Sequence, residues 1–120
     1  MKQSILLTLS VFLFFTSCGD IPFDTSERGG FMMATDEKTV IIEKLAKAYT
    51  EGNFDVAKDY FAEDGVHYVN NDEYTNDEII AGYNFHSLLY EEMEHLTPWV
   101  TTMYYNDGSI YTNQWAEWTG

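Results

Sequence analysis

The chain has 120 residues, which is room for one small domain. Its 20 acidic residues against 6 basic ones give a formal net charge of −14, a balance that repels phosphate backbones and excludes nucleic acid as a partner. A single cysteine excludes any internal disulfide.

The first segment is not domain material. Lys2 gives a minimal basic start, and the apolar run from Ile5 to Phe15 is too short to span a bilayer comfortably. Phe15-Thr16-Ser17-Cys18 follows and is similar to the lipobox of bacterial lipoproteins, with Phe15 in place of the more usual Leu. That resemblance implies a signal peptide over 1–17 and a diacylated Cys18. Two or more acyl chains suffice for stable anchoring where one is marginal. The expected location is therefore the bacterial cell envelope, outer membrane or periplasm, with the chain held to a membrane through its N-terminal lipid. Loss of 1–17 removes one lysine and no acid, leaving 5 basic against 20 acidic residues and a charge of −15.

Residues 18–35 turn to Asp, Pro, Ser, Gly and Arg with few aliphatics and read as a flexible tether, interrupted by Phe31-Met32-Met33. The domain proper is expected over 36–120. Thr35 or Asp36 can cap its first helix, on which Val40, Ile41, Ile42, Leu45, Ala46, Ala48 and Tyr49 form a broad apolar face. Gly52 ends that helix, because a residue without Cβ enters the left-handed region freely. Asn53 then reads as the cap of a short helix with Phe54, Ala57, Tyr60 and Phe61 on one side. Asp64-Gly65 turns the chain into the short β-forming run Val66-His67-Tyr68-Val69.

Asn70 to Glu73 reads as a polar turn, and Thr75-Asn76-Asp77-Glu78 as a capping box. The helix it starts is expected to reach about Met93. Ile79, Tyr83, His86, Tyr90 and Met93 then share one stripe, with Glu91, Glu92 and Glu94 crowding its C-terminal end. Segments 97–105 and 110–119 read as a hairpin in one of two registers. A two-residue turn pairs Tyr105 with Ile110, whereas a three-residue loop with Gly108 left-handed pairs Tyr105 with Ser109. Trp99, Thr101, Met103 and Tyr105 share a face in either case. The register decides whether Trp115 or Trp118 joins them.

The run from Ala48 to Val66, a helix end, a Gly-Asn break, a short helix closing in Phe61-Ala62 and an acidic turn into a strand, resembles the nuclear transport factor 2-like superfamily, which includes the SnoaL-like proteins. The resemblance extends from about Asp36 to the C-terminus. It implies an α+β cone in which helices pack in a curved antiparallel sheet around a mostly apolar pocket. It also implies about two more strands than this chain carries before Gly120. The expectation is therefore a C-terminally truncated domain, with a homodimer completing the sheet or a minimal variant as alternatives.

Function is less constrained, since this scaffold carries isomerases, dehydratases, cyclases and plain binding modules. The ketosteroid-isomerase branch has an oxyanion-donating Tyr sixteen residues before the short-helix Phe and a base Asp eight residues after it. Counting from Phe61, this sequence has Leu45 and Val69 there, and neither can move a proton. Of the remaining groups, His86 between Tyr83 and Tyr90 is the candidate acid/base, against the plainer reading of a partly buried histidine bonded to a neighbour. His67 faces either pocket or solvent, and His95 reads as a cap on the second helix. Tyr49, Tyr68, His67, Trp99, Met103 and Trp115 are the candidate pocket wall, suited to a small apolar or aromatic ligand. Asp72, Glu73 and Asp77 lack calcium-loop spacing, and no metal or cofactor is expected.

Overall fold

The computed structural model describes residues 24–120. The expected leader, Cys18 and the first part of the tether lie outside them.

Segment 24–33 is not a free tether. Gly30–Met33 forms strand β1, pairing antiparallel with a later strand so that Phe31 lies opposite Tyr104. The Asn106 side chain donates to the Asp24 and Ser26 carbonyls at 2.9 and 2.7 Å, and its N–H donates to the Gly29 carbonyl at 2.9 Å. The Phe31 ring stacks on Tyr104 with centroids 4.9 Å apart. Phe31-Met32-Met33, which interrupts the expected tether, docks because the hairpin supplies its partners.

Helix α1 spans Glu37–Thr50 and is capped by Asp36, whose carboxylate accepts the Thr39 N–H at 2.8 Å. The same carboxylate accepts the Thr102 hydroxyl at 3.0 Å and the Tyr104 hydroxyl at 2.6 Å, so one side chain starts the helix and fastens it to the sheet. Having donated its proton to Asp36, Thr102 accepts from Thr112 at 3.2 Å, which carries the link onward to the next strand. Leu45 and Ala48 are buried and Ile41, Ile42, Ala46 and Tyr49 partly so, while Val40 is exposed, making the apolar face narrower than the sequence suggested.

Gly52 ends the helix with φ +70°, as its position demands. The following short helix, Phe54–Asp59, is of the 3-10 type. Asn53 makes no side-chain cap to it; instead Asn84 from the next helix accepts the Phe54 N–H at 2.8 Å. Strands β2 (His67–Val69) and β3 (Asp72–Tyr74) form a tight hairpin, so part of the expected polar turn is strand.

Helix α2 spans Asn76–Ser87 behind the expected Thr75/Glu78 capping box. It stops well short of Met93. The acidic group Glu91, Glu92 and Glu94 would lie against the negative end of the helix dipole if the helix continued. The chain leaves the helix before reaching it, with the Leu88 and Leu89 side chains exposed. Leu45, Phe54, Ala57, Ile79 and Ile80 from α1, the 3-10 helix and α2 form the core.

Strands β4 (Glu94–Tyr105) and β5 (Ile110–Thr119) make a long hairpin closed by a three-residue loop. Tyr105 pairs with Ser109, its N–H donating at 2.9 Å, and Gly108 takes φ +89°. Sheet order is β1-β4-β5, with β2-β3 a separate pair. Over the described residues the fold is α+β with antiparallel sheets and no barrel. A bulge interrupts β4 between Leu96 and Trp99, where Thr97 holds φ +43° ahead of Pro98. The extra residue reverses the alternation, so His95 pairs with Trp118 on the face that carries Val100, Thr102 and Tyr104.

Two predictions follow from these contacts. Ile80→Ala removes a side chain only 3% exposed in the core and should cost about 2–5 kcal/mol in denaturant unfolding; a loss below about 1 kcal/mol would show that this core is loosely packed. The Tyr104 hydroxyl, then the Thr39 and Thr102 groups, hold the Asp36 carboxyl down from 3.8 to about 2. A depressed carboxyl contributes stability above its unfolded pKa and loses it as pH falls through the folded value. Asp36→Asn should therefore flatten the stability profile between pH 4 and pH 2, the window those two values define. An unchanged slope would contradict the assignment.

Candidate functional site

A cavity of about 670 Å³, open to solvent, lies between the inner face of β5 and the helices, with the β2 end at its rim. Its walls are mostly rings. Tyr49 comes from α1, Phe54 from the 3-10 helix with Phe61 just after it, Tyr83 from α2, and Trp118 from β5. These rings brace one another: Tyr49 and Tyr83 lie 5.1 Å apart, and Phe54 meets Tyr83 edge-on at 4.8 Å. The polar lining groups include His67, His95 and Gln114, while among the described residues no Asp, Glu, Lys or Arg lines the space.

Tyr49 is the hinge of the cluster. It stands one turn before Gly52, where α1 ends beside α2, and its hydroxyl meets His86 Nδ1 at 2.6 Å. Its ring stacks on His86 from one side and lies 5.8 Å from His95. Burial raises the Tyr49 phenol above its ordinary range, with Tyr83 and Tyr90 adding to the effect. It therefore stays protonated near neutrality, and its neutral hydroxyl shares one hydrogen bond with the His86 imidazole, whose tautomer sets the donor. Burial pushes the His95 imidazole down, favouring its neutral form, and Gln114 Nε2 approaches its Nδ1 at 3.3 Å. His67 Nε2 is held at 2.7 Å by Asn76 Oδ1, and Asn76 is fixed in turn by the Ala62 carbonyl.

The structure divides the expected wall in three. Tyr49, Tyr68, His67 and Tyr83 line the cavity, Tyr68 at an exposed rim where it donates to Glu73. His86 and Tyr90 stand behind that lining: Tyr90 packs edge-on against Trp118 at 4.8 Å and against His86 at 5.1 Å. Trp99, Met103 and Trp115 are on the opposite face of the sheet. Trp99 pairs with Trp115 and Met103 with Tyr111, and the two tryptophans are 63% and 71% exposed. They follow from the three-residue loop, whose register brings Trp115 to Trp99 and sends Trp118 inward.

His95 is a strand residue rather than a helix cap, because α2 ends at Ser87. Together with Gln114 and Trp118, it is the part of the site that sequence reasoning missed. A signal was present: Pro98 inside a strand-like run marks a bulge or an edge, and a bulge there places His95 with Trp118. Among the described residues, no three His, Cys, Asp or Glu side chains group to hold a metal ion, and no helix is long and apolar enough to cross a membrane.

No family model, curated protein or solved structure matches the chain.

The His95 environment predicts that its ring protons, followed by NMR, titrate with a midpoint below the ordinary imidazole value of 6.5. A midpoint at or above that value would mean that His95 is solvated, not set into the wall.

Proposed function

We propose that this chain is a nuclear transport factor 2-like, SnoaL-like domain carried on an envelope lipoprotein, and that its cavity binds a small apolar or aromatic molecule. The observation that carries this reading is the ring-lined space of about 670 Å³ with no charged lining residue among the described residues. A concave, mostly apolar site with a few convergent polar groups is the usual form of a small-molecule pocket. The cone reading is supported by α1 lying against the β4–β5 hairpin, tied to it through Asp36, and by the rings of Phe54 in the 3-10 helix and Phe61 just after it facing the hollow.

Thermal-shift screening with small aromatic compounds tests the reading. A ligand at ten times its Kd stabilises by about 1.4 kcal/mol, which raises the Tm of a domain this size by roughly 5–10 °C. Uniform absence of a shift across a broad apolar set would overturn it.

A second reading, a small enzyme of dehydratase, isomerase or cyclase type, has one specific observation in its favour. The 2.6 Å contact between Tyr49 and His86 gives a proton at the cavity wall a path to an imidazole. His86→Gln would then abolish turnover with folding intact, whereas under the binding reading it leaves ligand affinity within about threefold.

Anchoring is tested separately. Cys18→Ser should move the protein from the detergent phase to the aqueous phase on phase partitioning, and retention in the detergent phase would contradict the lipid anchor.

A further inference from the structure

The sheet face turned away from α1 carries a row of apolar side chains. The register sets Trp99 opposite Trp115 and puts Met103 between Met32 and Tyr111. Tyr105 meets Tyr111 edge-on, with ring centroids 5.7 Å apart. Met32, Trp99, Tyr111 and Trp115 are all exposed, so no described element covers them.

Charge is missing from this face. Residues 30–33, 97–105 and 110–116, the three strands between the loop and the bulge, include no charged side chain, in a chain with 20 acidic and 6 basic ones. The charges that bound it are Asp107 in the loop and Glu117 past the bulge. Exposed apolar surface with a polar rim marks an interaction site. A second copy of the chain would bring another net charge of −14 against the first. A zwitterionic lipid surface brings none, and tryptophan and tyrosine, apolar rings with a polar tip, settle at the headgroup level of bilayers. The exposed Phe85, Leu88 and Leu89 at the end of α2 are a poorer match, since Glu91 and Glu92 follow them directly.

Chain length brings the same face to a membrane. Asp24 stands six residues after Cys18, a separation that even a fully extended chain spans in about 20 Å. Asn106 fastens Asp24 and Ser26 to the tip of the β4–β5 hairpin, beside Tyr105 and Tyr111. An acylated Cys18 therefore holds that tip close to the bilayer. Trp99 lies six residues back along β4, about 20 Å from the tip, so it reaches the headgroups only if the sheet lies down on them.

We propose that the sheet face bearing Trp99, Trp115 and Tyr111 lies against the headgroup layer of the membrane that holds the chain. The proposal rests on the lipid-anchor reading above and adds the orientation of the domain, with its cavity on the side away from the bilayer.

Tryptophan fluorescence of the acylated chain in phosphatidylcholine vesicles, with and without bromine on the shallow carbons of the acyl chains, tests it. Brominated lipid should quench the wild type strongly. Trp99→Phe and Trp115→Phe together, which keep Trp118 on the cavity wall, should lose most of that quenching. Acrylamide, a neutral quencher in the water, gives a readout that needs no variant: it should quench the vesicle-bound wild type several-fold less than the unanchored Cys18→Ser chain in buffer. Emission blind to brominated lipid, quenching undiminished in the double variant, or equal acrylamide quenching in the two states would overturn the proposal and leave the anchor in place. A Cys18→Ser dimer that dissociates on replacing both tryptophans would assign the face to a second copy and overturn it too. Mass spectrometry showing no acyl chain on Cys18 would overturn the anchor and the proposal together.

Discussion

The Asp36 carboxylate joins the two halves of the fold. It opens α1 by accepting the Thr39 N–H, and it accepts the hydroxyls of Thr102 and Tyr104 from β4. Thr39 and Thr102 are 1% and 0% exposed, so their polar atoms have no water to fall back on. Removing the carboxylate would leave buried groups unpaired, which costs more than the hydrogen bonds themselves contribute. The exposed ion pairs, Lys47 with Glu51 and Lys58 with Asp55, carry no comparable burden.

A clamp at one end of α1 determines what happens at the other. The helix is tied to the sheet at Asp36 and packs on the 3-10 helix and α2 through Leu45 and its neighbours. Its far end carries Tyr49 to the junction of α2 and the β4–β5 hairpin, where the ring meets His86 and His95. The space left between these contacts is the cavity. Its polar corner depends on a backbone irregularity: the bulge at Thr97-Pro98 turns His95 inward to join Trp118 and Gln114. Without that extra residue, His95 would share the outer face with Trp99.

Local rules made much of this legible. The Asp36 cap, the glycine stop at Gly52, the capping box at Thr75 and the three-residue loop with a left-handed Gly108 each arise from interactions within a few residues. The failures are non-local. β1 forms because Asn106 and Tyr104, more than seventy residues away, receive it. The stripe through Tyr83, His86 and Tyr90 kept its period beyond the real helix end, and periodicity alone gives no stopping point. The tryptophans were a question of register: two allowed turns differed by one residue, and that residue chose the face. Val40 shows the same limit on a smaller scale, since an apolar residue at the rim of a stripe stays wet when nothing packs over it.

The account requires that α1, α2 and the hairpin meet at Tyr49 in solution. Two-dimensional NOE spectroscopy on aromatic-labelled protein tests that requirement most directly. Tyr49 ring protons should show cross-peaks to the rings of both His86 and His95, whose centroids lie 5.9 and 5.8 Å away. Cross-peaks to His86 with none to His95 would show two helices paired without the sheet against them, and would contradict the cavity.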